Sequence, residues 1–101
     1  SGVEPSRVMA APIPAVQNLL QRNKMRVDDV DVYEHNEAFA AASCAVAKSL
    51  QIPRDKLNQH GGAVSIGHPL GSSGTRCLIT MLGVMKRKGA KTGIVTLCLG
   101  G

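Results

Sequence analysis

Apolar positions change their spacing repeatedly along the chain, and each change marks an element. Residues 1–12 carry Pro5 and Pro12 and read as an irregular lead-in. Ile13, Val16, Leu19 and Leu20 then recur at helical spacing, which predicts a first helix over about residues 14–23. Asp28-Asp29-Val30-Asp31-Val32-Tyr33 alternates instead, with apolar residues at 30 and 32, and predicts a short strand. From Glu37 to Leu50 alanine dominates and apolar side chains occupy nearly every helical face. That predicts a buried helix whose small residues let other backbone come close, and Pro53 stops it.

Residues 61–74 break every periodicity: they hold five glycines in fourteen positions, too many for a helix or strand interior. A shaped loop is expected here, with Ser72 or Ser73 capping the helix that follows. The core stripe of that helix reads as Leu78, Met81, Leu82 and Met85, and Lys86-Arg87-Lys88-Gly89 supplies a basic last turn and a glycine stop. Thr92 to Leu99 is a continuous apolar run, expected to be a fully buried strand, and Gly100-Gly101 follow. Helix, strand, helix, glycine loop, helix, strand is the alternation of a layered α/β fold. Two strands do not make a stable sheet alone, so the chain reads as part of something larger.

Composition removes several function classes. The longest uncharged apolar stretch, Ala38–Ala47, is about half the ~20 residues that span a bilayer. No basic-then-apolar leader opens the sequence. Cys44, Cys77 and Cys98 are odd in number and widely spaced, which argues against a disulfide framework and for a reducing compartment. His35, His60 and His68 do not fall into metal-ligand spacing with them. His35-Asn36-Glu37 matches half of a zinc-deaminase signature, but the P-C-x-x-C half is missing. Behind the net charge of +5, seven of the 12 basic residues cluster in Arg22 to Arg26 and Lys86 to Lys91. Both sit at helix ends with no aromatic residues interleaved, unlike a nucleic-acid surface. No G-x-G-x-x-G or G-K-[ST] occurs in the glycine loop, which argues against the dinucleotide and P-loop readings.

Reactive groups concentrate where apolar elements end: Asn36-Glu37 after the first strand, His68 within the glycine loop, Cys98 after the last strand. Open α/β sheets place their sites at strand ends and the loops that follow. A His and a Cys together can act as base and nucleophile or acid, and nearby glycines free backbone N–H groups for an oxyanion. Taken singly, each residue also has a plain structural role. Asn36 can cap a helix, His68 can stabilise its loop, and Cys44, Cys77 and Cys98 can fill a core.

The three segments together resemble the thiolase family. Asn36-Glu37-Ala38-Phe39-Ala40, the block from Gly61 to Gly71 (GGAVSIGHPLG) and Cys98-Leu99-Gly100-Gly101 look like its three C-terminal signatures, in its order and at about its spacing. The resemblance extends over nearly the whole chain, including Ala11-Pro12-Ile13-Pro14-Ala15. It implies part of the C-terminal half of a layered thiolase-like α/β fold, with helices packed on a mixed sheet. It also implies acyl transfer between thioesters of coenzyme A: thiolysis of acetoacetyl-CoA or another 3-ketoacyl-CoA, or Claisen condensation of acetyl-CoA. CoA enters as substrate, and no cofactor or metal is implied.

By match of motif, His68 would activate a nucleophilic cysteine in the N-terminal half, and Cys98 would be the acid/base at the α-carbon. Asn36, through a water, and His68 would form one oxyanion hole. Gly100 would contribute to the second, and Phe39 would line the acyl pocket. Cys44 and Cys77 keep the core reading. Ala63-Val64-Ser65 resembles short-chain acetoacetyl-CoA thiolases.

Relative to the family, residues 1–101 read as a partial C-terminal domain. The nucleophile-bearing half, the loop domain and the last strand are absent. The chain is therefore expected to belong to a longer or split enzyme, to be inactive alone, and to need that N-terminal half as partner. The whole enzyme is expected to be a homodimer or homotetramer, without nucleic-acid or membrane partners. The expected compartment is the cytoplasm, or the mitochondrion or peroxisome of a eukaryote. The alternative is a non-catalytic thiolase-like module that docks on a partner subunit.

Overall fold

The computed structural model describes residues 1–98. Two 3-10 stretches lie early in the chain, Pro5–Ala10 in the lead-in and Val27–Asp29 before the first strand. Helix α1 runs Pro12–Arg22, β1 Val32–His35, α2 Ala40–Leu50, α3 Ala63–Ile66, α4 Ser73–Lys88 and β2 Gly93–Thr96. The strands pair in parallel, from Val32 opposite Gly93 to His35 opposite Thr96. On its other side β1 meets a parallel bridge from Tyr33 to Leu57. The layered α/β architecture expected from the alternation is present.

Helices cover both faces of this sheet. Tyr33 and Ile94 pack with Val16 and Leu20 of α1 and Val46 and Leu50 of α2, while Val32 packs with Met81 and Val84 of α4. Each face excludes water from a separate apolar cluster, which is how a half-buried helix stripe finds its partner. The Tyr33 hydroxyl, deep in the first cluster, donates to the Val27 carbonyl at 2.8 Å.

Several sequence expectations shift. Helix α1 starts two residues early, because Pro12 and Pro14 both fit a first turn whose N–H groups lack helical partners anyway. The first strand starts late: Asp29 Oδ2 accepts from the Arg26 N–H at 2.7 Å, and Asp31 Oδ2 accepts from the Lys91 and Thr92 N–H groups. These acids close turns instead of extending a strand. Helix α2 is not buried all round; Ser43, Val46 and Leu50 face inward, and Ala40, Ala41, Cys44 and Ala45 are exposed. The core reading for Cys44 is thus overturned, whereas Cys77 is fully buried.

The inward stripe of α4 is Ser73, Cys77, Met81 and Val84. Leu78 and Leu82, expected inside, are 47% and 55% exposed. This helix is apolar on two faces, and the one bearing Cys77, Met81 and Val84 meets the sheet. Strand β2 is shorter than the apolar run and alternates, with Ile94 and Thr96 buried and Gly93 and Val95 half-buried. Gly89 ends α4 in the left-handed region (φ 64°) as expected.

Candidate active site

Asn36 follows β1 directly, and its N–H donates to the Thr96 carbonyl at 3.0 Å, which ties it to the end of the sheet. It does not cap a helix; Phe39 holds the N-cap position of α2 in extended backbone and is largely exposed. Asn58, in the left-handed region (φ 46°), supports the same strand end. Its side-chain amide donates to the His35 carbonyl and accepts from the His35 N–H, each at 2.9 Å. The amide therefore pairs as a strand residue would.

The glycine block contains the short α3 and then turns at Gly67, whose φ of 98° suits a residue without Cβ. That turn delivers His68-Pro69. The Ser72 and Ser73 N–H groups both donate to the Pro69 carbonyl, closing the loop onto the start of α4. Ser72 occupies the N-cap position without a side-chain capping bond. Ser73 instead points its hydroxyl at His68, with Oγ 2.6 Å from Nδ1. Asn36 Nδ2 lies 3.4 Å from the same nitrogen.

Cys98, two residues past β2, is half-buried and contacts Met9, with Sγ 3.7 Å from Sδ. A cleft of about 680 Å³ is lined by Asn36, Phe39, His68, Leu70, Ser73 and Cys98, together with Met9. Four of the five residues singled out from sequence thus share one cleft. Gly100, the fifth, lies outside the described residues. Among the described residues, no group of three or more His, Cys, Asp or Glu side chains could hold a metal ion, and no helix is long and apolar enough to cross a membrane.

Four neighbours of the site, Glu34, Ser73, Arg76 and Cys77, had no place in the site read from the sequence. Ser73 read only as a possible cap. Arg76 Nη2 donates to Asn36 Oδ1 at 3.5 Å, and Nη1 lies 3.9 Å from the Oε2 of fully buried Glu34. Cys77 Sγ approaches the same Asn36 oxygen at 4.0 Å. Burial pushes the Glu34 carboxyl up to about 7, against the Arg76 charge, which pulls it down. Burial also raises the Cys77 thiol and lowers the His35 imidazole. A signal existed: residues 34 and 36 share a strand face, and 73, 76 and 77 share a helix face.

The His68–Ser73 pair has chemical consequences. When Nδ1 accepts from the Ser73 hydroxyl, the ring proton sits on Nε2, which becomes a donor. When Nδ1 is protonated it donates to Ser73, whose hydroxyl then donates to the Pro69 carbonyl at 3.1 Å. Nε2 then carries a lone pair and is a base. One buried hydroxyl satisfies both states.

The family model for the thiolase C-terminal domain matches residues 1–101. The cytosolic acetyl-CoA acetyltransferase of Rattus norvegicus is 48% identical over 101 residues, which are all of this chain and 25% of that protein. An acetyl-CoA acetyltransferase of Syntrophomonas wolfei is 49% identical over 102 residues, covering 99% of this chain and 26% of that protein. The crystal structure of the Bacillus anthracis acetyl-CoA acetyltransferase superposes with a TM-score of 0.96 at 40% identity, over 100% of this chain and 26% of that one. The chain thus spans about a quarter of the length of the relatives it matches. With a family model matched from end to end and a layered fold shared with a solved acetyltransferase, the chain belongs to the thiolase family and corresponds to its C-terminal domain.

Proposed function

We propose that this chain is the C-terminal catalytic portion of a thiolase-type acyltransferase acting on CoA thioesters, with an acetoacetyl-CoA-like 3-ketoacyl-CoA as substrate. The observation that carries the proposal is the convergence of Asn36, His68 and Cys98, from three distant segments, on one cleft beside Phe39. The names of the relatives point to the same chemistry.

In the cleavage direction, a cysteine thiolate of the N-terminal half attacks the 3-keto carbon, having lost its proton to His68. The bond between C2 and C3 then breaks, and its electron pair passes to C2 and the thioester oxygen as an enolate. Cys98 delivers its thiol proton to C2, releasing acetyl-CoA. A second CoA thiol gives its proton to the Cys98 thiolate and its sulfur takes the acyl group, and the released cysteine thiolate recovers its proton from His68. The enolate needs donors fixed around one oxygen, and protonated His68 with Asn36 (through a water) supplies them. Gly100 is assigned to the other oxyanion hole and Phe39 to the acyl pocket. No cofactor takes part; CoA is substrate. The cysteines favour a reducing, cytoplasmic compartment, and assembly of the whole enzyme as a dimer or tetramer belongs to the same reading.

The exposed face of α4, with Leu78, Ile79 and Leu82 at 47%, 64% and 55%, also suits a non-catalytic module that docks on a partner subunit. One experiment separates the two. The chain is assayed for acetoacetyl-CoA thiolysis alone and after mixing with the nucleophile-bearing N-terminal portion of a related acetyltransferase. No turnover alone, with turnover in the mixture that His68→Ala abolishes, is the expected result. Association without turnover supports the module, and turnover by the chain alone overturns the need for a partner half.

A further inference from the structure

Beneath the cleft lies a charge pair that the proposed reaction does not use. Glu34 is fully buried, and taking a carboxylate out of water costs several kcal/mol unless something compensates. Its nearest opposite charge is Arg76, 3.9 Å away, whose own side chain is only 18% exposed. The same guanidinium reaches Asn36 Oδ1 at 3.5 Å, and the Cys77 thiol approaches that oxygen at 4.0 Å. A guanidinium has only donors, and a thiol beside a carbonyl oxygen also donates. The atom of Asn36 that faces them is therefore its carbonyl oxygen, and its amide nitrogen is turned toward His68, 3.4 Å from Nδ1.

We propose that Glu34 and Arg76 are positioning residues for Asn36: the guanidinium, held beside Glu34 by charge alone, fixes the side-chain amide so that it offers N–H rather than C=O to the cleft. Rotating that amide by half a turn would exchange a donor for an acceptor next to His68, where the thiolase reading needs oxyanion stabilisation. Glu34 acts one step further back, holding Arg76 between β1 and α4. The consequence for catalysis rests on the thiolase reading; the orientation of the amide does not.

The test is NMR of the isotopically labelled chain mixed with the unlabelled N-terminal portion of a related acetyltransferase, following the Asn36 side-chain amide. Wild type should show a nuclear Overhauser contact between Asn36 Hδ2 and the His68 ring proton on Cε1. Arg76→Met should abolish it while backbone resonances remote from the cleft stay in place, and Arg76→Lys should restore it. At pH 8, where the Glu34 carboxyl is ionised, Glu34→Gln, which keeps size and shape, should weaken it and shift the Asn36 amide resonances. Persistence of the wild-type contact and shifts in both Arg76→Met and Glu34→Gln would overturn the proposal. Should Arg76→Met fail to fold, Glu34→Gln alone decides in the same way. In the reconstituted enzyme, Arg76→Met should lower kcat by about 10²-fold with little change in KM. Absence of turnover in the wild-type mixture would count against the thiolase reading and leave the NMR result intact.

Discussion

The Glu37 carboxylate fills the space that a side chain at Gly62 would need, and its Oε1 accepts from the Val64 N–H at 3.3 Å. The segment carrying Asn36 is thereby fastened to the glycine block that carries His68. Gly62→Ala should expel Glu37 and cost about 1 kcal/mol, the worth of one charge-assisted hydrogen bond. In a Glu37→Ala background the same change should cost much less. A double-mutant cycle by urea denaturation checks this, and additive effects would break the link.

Asn58 offers a second handle on the site, since its side chain replaces a strand partner for His35. Asn58→Ala should destabilise by about 2 kcal/mol, for two lost bonds to buried backbone and a strained left-handed residue. Asn58→Gly should recover only the part due to strain. Equal stability of Asn58→Ala and wild type in urea would contradict the surrogate-strand role.

Neighbouring residues of β1 should give the chain two opposed pH dependences. Glu34 is raised to about 7 by burial, with Arg76 pulling it down and Glu37 pushing it up. Between the ordinary carboxylate range and about 7, the native state holds a proton that the unfolded state has lost. Stability from this group is full in acid, falls as pH rises through that window, and is flat above it, a change on the order of 3 kcal/mol. His35 is lowered by burial, with the Thr96 backbone and Glu37 opposing. Its stability is full above the ordinary imidazole value and falls as pH drops below about 6.5, where the unfolded chain takes up the proton. Unfolding free energies at pH 5, 6, 7 and 8 test both. The excess of wild type over Glu34→Gln should shrink with rising pH, and its excess over His35→Gln should grow. Parallel profiles would refute the assignment.

Ser73 should matter to turnover more than to binding. Ser73→Ala in the reconstituted enzyme should lower kcat by about 10²-fold with KM nearly unchanged, because His68 loses the partner that fixes its ring. Ser73→Thr, which keeps the hydroxyl, should retain most activity. A loss confined to KM would show that the serine shapes the pocket instead.

Element types and order were legible because periodicity reports which residues could share a face. What covers a face is another matter. Alanines at 40, 41 and 45 are compatible with burial, yet they are exposed, as is Cys44. Leu78 and Leu82 looked like core because α4 is apolar on two sides, and periodicity does not say which side meets the sheet. Asn36, His68 and Cys98 were found through a resemblance spread over three segments, where single residues had bland readings. Glu34 and Arg76 were missed because a buried charge pair leaves no compositional trace; only strand parity and helix phase align them with Asn36.

The parallel pairing of β1 with β2 also orders events in time. The partners Val32 and Gly93 stand about 60 residues apart, so closing the sheet carries a large loop entropy that no local contact offsets beforehand. During synthesis α1, α2, α3 and α4 all emerge before β2 does. Helices can form early, and Asn58 can already pair with the His35 end of β1, but the Asn36 N–H has no Thr96 carbonyl to meet until the chain has grown past residue 96. The cleft is thus a late product of folding, and a nascent chain halted in α4 carries Asn36 and His68 without the sheet end that fixes them.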